Sequence, residues 1–255
     1  MKGILICSHG SKGYDCSGLL TSYCESVSKT VGMEVRYGLN GTCDPTIKDA
    51  LVDMIHDGFT EIVAVPMFFA PGYVATGMIP KAIGLESGSS GGEIFIGGRT
   101  VSIRMTGTFG DHPKMRDVLR DVLNGSGADV EDTFIILISH GSNDGINSRT
   151  NKLNAGYVSE MGFRVICAYN EKQSPTIEEA LNAAFDSGCA KIVAIPMFAS
   201  PGNHSVREIP EQLGLGAGRR KIYTVLDRPV QLTYAQEIGT NPLVADILAD
   251  RAVNG

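Results

Sequence analysis

Residues 61–85 read EIVAVPMFFAPGYVATGMIPKAIGL, and residues 191–215 read KIVAIPMFASPGNHSVREIPEQLGL. Both carry an apolar run leading into Pro-Met-Phe, a Pro-Gly turn and an Ile-Pro pair at the same spacing. A repeat of this kind at a fixed period is the mark of a duplicated unit. Working outward, KGILICSHGSKG at 2–13 aligns with TFIILISHGSND at 133–144, DPTIKDAL at 44–51 with SPTIEEAL at 174–181, and GDHPKMRDVL at 110–119 with GTNPLVADIL at 239–248. Pro45 and Pro175, Pro66 and Pro196, Pro71 and Pro201, and Pro80 and Pro210 are each 130 positions apart.

Within each half, the runs ILIC, EVRYGL, EIVAVP and VSIRMTG are too apolar to alternate, so they are expected to be strands buried on both faces, as in a parallel sheet. Longer segments of helical period lie between them, among them DCSGLLTSYCESVSKTV, PTIKDALVDMIHDG and HPKMRDVLRDVL. Alternating β and α elements predict an α/β fold of two similar doubly wound parallel-sheet lobes. The lobes are expected over residues 1–127 and 128–255, joined through GSGADVED at 125–132. The Gly/Ser-rich stretch ESGSSGGEIFIGG at 86–98 reads as a flexible loop.

The 255 residues are 43% hydrophobic with a mean hydropathy of +0.04, enough for one large core or two ordinary ones. Six Cys without a C-x-x-C pair indicate free thiols in a reducing compartment, and the short apolar start of MKGILICSHG is neither a signal core nor a membrane span. A cytoplasmic protein with no membrane association is expected. With 22 Lys and Arg against 28 Asp and Glu, the formal charge of −6 argues against nucleic acid as a partner. Nor is there a G-x-x-x-x-G-K-[ST] phosphate loop, or a G-x-S-x-G elbow to make Ser11 or Ser142 a nucleophile.

In a doubly wound sheet, functional loops gather at the C-terminal ends of the strands. Three polar residues of the second half follow strands directly: His140 after FIILIS, Glu171 in the loop after FRVICAY, and His204 after KIVAIP and the SPG turn. Two imidazoles and a carboxylate form a plausible open site for a borderline divalent cation. The competing assignments are a helix-capping His and a solvated loop Glu. The duplication is a control inside the chain: the matching first-half residues are His9, Gly41 and Val74, so the second half is the better candidate. His56 and His112 are expected to be structural. Arg207, Arg219, Arg220 and Lys221, with Arg149 and Lys152, could offset the acidity around an anionic ligand, or simply be solvated.

The HGS sequence after the first strand of each half, the run P-M-F-x-x-P-G-x-H-x-x-x-x-I-P at 196–210 and the G-x-N-P-x motif at 239–243 together resemble the class II tetrapyrrole chelatases, over nearly the whole chain. The resemblance implies nucleotide-independent insertion of a divalent metal into a sirohydrochlorin-type ring, a lyase-class reaction of tetrapyrrole and cobalamin biosynthesis. It resembles in particular the fused two-lobed cobaltochelatase arrangement, with His140, Glu171 and His204 as metal-binding and catalytic residues. Val74 departs from the pattern of members whose histidines lie in the first lobe. Substrate contacts are implied for His9, Ser11, Ser142, Pro201, Gly202 and Arg207. The expected partners are sirohydrochlorin and Co2+, with Ni2+ or Fe2+ as alternatives and no organic cofactor, in a monomer or homo-oligomer. A non-catalytic tetrapyrrole or metal carrier is the alternative of another class.

Overall fold

The computed structural model describes residues 1–11, 13–41, 43–216 and 218–255. It divides into two compact units, one made of residues 1–112 and 242–255, the other of residues 113–241. The first unit holds β1 (Lys2–His9), β2 (Glu34–Asn40), β3 (Glu61–Pro66), β4 (Gly91–Ile96) and β5 (Arg99–Met105), and the second holds β6 (Thr133–Ser139), β7 (Arg164–Tyr169), β8 (Lys191–Pro196), β9 (Arg220–Val225) and β10 (Arg228–Tyr234). The sheet orders are β2-β1-β3-β5-β4 and β7-β6-β8-β10-β9, so one topology occurs twice.

Both central strands are buried on both faces, which is why their sequences do not alternate. In β6, Ile136 and Ile138 pack into a core with Ile177, Leu181, Ile192 and Leu232, while Ile135 and Leu137 are equally buried on the opposite face. In β1, Leu5 and Cys7 face Ile47, Leu51, Met54 and Ile103, with Ile4 and Ile6 buried behind them.

The sheets are parallel except at one edge, where β4 and β9 run antiparallel to β5 and β10. The two doubly wound lobes are thus as expected, each with one antiparallel edge strand added, while the flexible loop expected at 86–98 is corrected, since it contains β4. Gly97 and Gly98 have φ of +58° and +77°, the two left-handed residues that a tight hairpin turn requires. Leu226 and Asp227, with φ of +48° and +60°, form the equivalent turn between β9 and β10.

Helices α1 (Ser17–Val31), α2 (Ile47–His56) and α3 (Ile79–Ala82) belong to the first unit, and α5 (Ile146–Glu160), α6 (Ile177–Asp186) and α7 (Ile209–Gln212) to the second. Two helices do not follow the sequence halves. Helix α4 (Met115–Gly125) packs on α5 in the second unit, and α8 (Val244–Asn254) packs on α1 and β3 in the first. The compact units therefore do not coincide with the repeat halves expected at 1–127 and 128–255. His112 is buried, with Nε2 3.0 Å from Asp250 Oδ2 on α8. His56 ends α2 and is exposed. No helix among the described residues is long and apolar enough to cross a membrane.

Candidate metal centre

Strand order determines which loops meet. In the second unit β6 lies between β7 and β8, so the loops leaving these three strands are neighbours at one sheet edge. The parallel ladder continues past the strand ends: the Asn170 N–H donates to the Ser139 carbonyl at 2.9 Å, the Glu171 N–H to the His140 carbonyl at 3.0 Å, and the Met197 N–H to the Ile138 carbonyl at 2.7 Å. These bonds set Glu171 beside His140 on one side, while the chain leaving β8 turns through Pro201 and Gly202 to bring His204 in from the other.

His204 begins a single π-helical turn, His204–Glu208, in which the Ile209 N–H donates to the His204 carbonyl. Such wide turns are rare and often mark functional sites. The local cause is Pro210, which has no N–H with which to continue the ladder. The Tyr234 hydroxyl, buried at the end of β10, donates to the Ser205 carbonyl at 2.7 Å. At the start of the turn Gly202 N–H donates to Ser205 Oγ at 3.2 Å, and Val206 N–H to the Gly202 carbonyl at 2.9 Å.

His140, Glu171 and His204 each offer one donor atom, and these three atoms lie within 4.8 Å of one another. The two imidazoles meet edge to face, centroids 4.7 Å apart, and Phe198 stacks at 6.4 Å from His204. The His residues are half-buried and Glu171 is exposed, so the group is open to solvent on its carboxylate side. The Nδ1 of His140 is buried without a hydrogen-bond partner, which leaves Nε2 as its outward nitrogen. Two imidazole nitrogens and a carboxylate oxygen can share an ion of intermediate softness, and the carboxylate can also accept protons.

Side chains that sequence reasoning did not single out support this group. Glu208 Oε2 lies 2.6 Å from His204 Nδ1, and Asn203 Nδ2 donates to Glu208 Oε1. Asn170 Nδ2 is 3.2 Å from Glu208 Oε2, and Gln212 Nε2 donates to Asn170 Oδ1 at 2.8 Å. The hydrogen bond with His204 holds the Glu208 carboxyl below its usual pKa. Around the HGS loop, Asn147 Oδ1 accepts the Gly141 N–H at 3.1 Å and Gln173 Oε1 accepts the Ser142 N–H at 3.0 Å. The Ser142 hydroxyl donates to Asp144 Oδ1 at 2.7 Å, a loop-closing bond and not a nucleophile's pairing with a base. The signal for Glu208 was the first-half residue at its place, Met78, a polar-to-apolar difference like that of His204 and Val74.

Arg207 is an exposed residue of the π-turn. His9 and Ser11 lie in the first unit, His9 as the last residue of β1 opposite Asn40, and Ser11 bridged to Tyr14. The first unit repeats the π-turn at Val74–Met78, but His9 there has only Gly41 and Val74 at the positions of Glu171 and His204.

Comparison with known proteins gives a consistent result. The CbiX family model matches twice, over residues 3–125 and 134–254. A sirohydrochlorin cobaltochelatase of Methanopyrus kandleri is 33% identical over 132 residues, an alignment spanning 46% of this chain and 92% of that protein. A probable sirohydrochlorin cobaltochelatase of Halobacterium salinarum is 26% identical over 230 residues, 83% of this chain and 76% of that one. Among solved structures, SirB from Bacillus subtilis with Fe3+ superposes with a TM-score of 0.70 at 17% identity, covering 99% of this chain and 96% of that one, which is a likeness of fold.

Proposed function

The chain belongs to the CbiX family in both of its halves, and from that premise we propose that it inserts a divalent metal ion, Co2+ first among candidates, into sirohydrochlorin without a nucleotide. The observation that carries this reading is the convergence of donor atoms from His140, Glu171 and His204 within 4.8 Å at one sheet edge. The Methanopyrus and Halobacterium relatives are named for cobalt, while the Bacillus structure holds iron, so Fe2+ stands beside Co2+ as a candidate ion.

The chemistry follows from the donors. A hydrated divalent ion exchanges water for the outward nitrogens of His140 and His204 and for a Glu171 oxygen. Entry of the ion into the ring releases two pyrrole N–H protons, which conserves charge. Glu171, the exposed member, takes one proton as the metal leaves it, and an imidazole freed of the same ion takes the other and passes it to solvent, so the groups serve as ligands and then as bases. Three protein ligands leave coordination positions open, the arrangement of a site that must pass its ion on. The ring's carboxylates are assigned to basic groups around the same edge, with Arg207 foremost and the loop residues Ser142, Pro201 and Gly202 alongside it. The reaction places the chain in the lyase class, in tetrapyrrole and, with Co2+, cobalamin biosynthesis.

Anaerobic insertion of Co2+, Ni2+ and Fe2+ into sirohydrochlorin, followed by absorbance, tests the reading. His140→Ala and His204→Ala should each reduce kcat/KM by at least about 100-fold, as for removal of a group acting directly on the reacting centre, while His9→Ala keeps most activity. A wild-type rate no faster than the spontaneous one with every metal would make the chain a carrier and not a catalyst.

A further inference from the structure

Glu208 is not among the three converging donors, yet its contact with one of them has a definite chemical sense. A carboxylate only accepts hydrogen bonds, so at 2.6 Å the His204 Nδ1 must be the donor. The Asn170 amide, 3.2 Å from both His204 Nδ1 and Glu208 Oε2, therefore donates to the carboxylate. A proton on Nδ1 leaves the lone pair on Nε2, the nitrogen free to bind an ion. Asn203 holds the other Glu208 oxygen, and Gln212 holds Asn170, so the carboxylate is fixed in turn.

The duplication shows that these polar groups are not needed to build the turn. The first unit forms the same π-turn and starts it with the same backbone: Tyr73 has φ −54° and ψ −32°, and Asn203 has φ −53° and ψ −42°. There the counterparts of Asn203, His204, Glu208 and Gln212 are Tyr73, Val74, Met78 and Ala82, and only Asn40 is kept, opposite Asn170. Apart from this Asn, the polar set is present where the imidazole is present and absent where it is not.

We propose that Glu208 is a positioning residue for metal capture, which fixes the Nδ1–H tautomer and ring orientation of His204 so that Nε2 meets the incoming ion. Carboxylates behind a ligating imidazole typically contribute 10- to 100-fold in metal affinity. The inference rests on His204 being a ligand, as proposed above.

The test is equilibrium titration of the full chain with Co2+ alone, read by its visible ligand-field absorption, alongside the KM for Co2+ in the insertion assay. Glu208→Met installs the residue that the first unit carries at this place, so the melting temperature should hold. Its Co2+ affinity should fall about 10- to 100-fold, with KM for Co2+ rising in parallel and kcat at saturating metal preserved. Glu208→Gln keeps an amide oxygen that accepts from Nδ1–H and should recover much of the affinity. If His204→Ala binds Co2+ like wild type, the ligand reading fails. If His204→Ala loses binding while both Glu208 variants keep it, that reading stands and the positioning role is wrong. Equal losses in Met and Gln variants with a changed ligand-field spectrum would make Glu208 itself a ligand, and would also overturn the positioning role.

Discussion

Gly141 follows His140 with φ +86°, and a Cβ on it would come within 2.1 Å of the Glu171 carbonyl oxygen. Left-handed backbone costs a residue with a side chain about 1–2 kcal/mol, and the clash would push the Glu171 peptide off the His140 carbonyl that fixes it. Gly141→Ala should therefore weaken Co2+ binding more than it lowers the melting temperature, because the strain falls on the two loops that carry donors. Co2+ titration beside thermal unfolding checks this, and unchanged affinity would mean that the Glu171 loop can shift without loss. The convergence of His140, Glu171 and His204 was legible because each lies in a loop that leaves a strand's C-terminal end, His140 at once, Glu171 two residues on and His204 past the SPG turn. Glu208 could not be found that way. In HSVRE it looks like one more solvated charge, and its partner becomes visible only once Pro210 and Tyr234 have set the π-turn.

Helix α6 starts a few residues after Glu171 and shows how an element end is held. The Thr176 hydroxyl accepts from the Glu179 N–H at 3.2 Å, and Glu179 Oε2 accepts from the Thr176 N–H at 2.7 Å, a complete capping box. In α2 the equivalent Thr46 also caps, but Asp49 is bound only to its hydroxyl, at 2.6 Å. Thr176→Ala should lower unfolding stability by about 0.5–2 kcal/mol and leave kcat unchanged, since Thr176 touches none of the three donors. Denaturant titration measures the first and the insertion assay the second; full stability in the variant would mean that water replaces the cap. The caps could be anticipated from SPTIEE and DPTIKD. The edge strand β4 was hidden because Gly and Ser surround it. Gly91 is required there, since a Cβ would stand 2.7 Å from the Ile103 carbonyl oxygen, and the Gly97-Gly98 pair is the hairpin turn itself. A composition suited to a loop was serving close backbone approach.

At the scale of the whole chain, the repeat and the compact units disagree by one helix each. The repeat was legible because GDHPKMRDVL and GTNPLVADIL align, but two similar amphipathic helices satisfy the same pattern whichever sheet they cover. Helix α4 packs on α5 and buries Met115, Val118, Leu119 and Leu123, and in the second unit Arg116 also pairs with Glu160 and Asp121 accepts from Asn241 Nδ2 at 2.6 Å. Each such apolar side chain contributes about 1.5–3 kcal/mol on burial, so the four together rival the roughly 5–15 kcal/mol by which a domain is stable. A fragment of residues 113–241 keeps α4, all three donors and the Glu208 network. It should fold and bind Co2+. A fragment of residues 128–255, cut at the sequence repeat, loses α4, exposes the face of α5 beneath it and carries α8 without α1; it should be largely unfolded or aggregated and bind Co2+ poorly. Circular dichroism melts and Co2+ titration of the two fragments decide the matter: equal stability would mean that α8 can take the place of α4, and that the exchange of helices is a choice between near-equivalent packings.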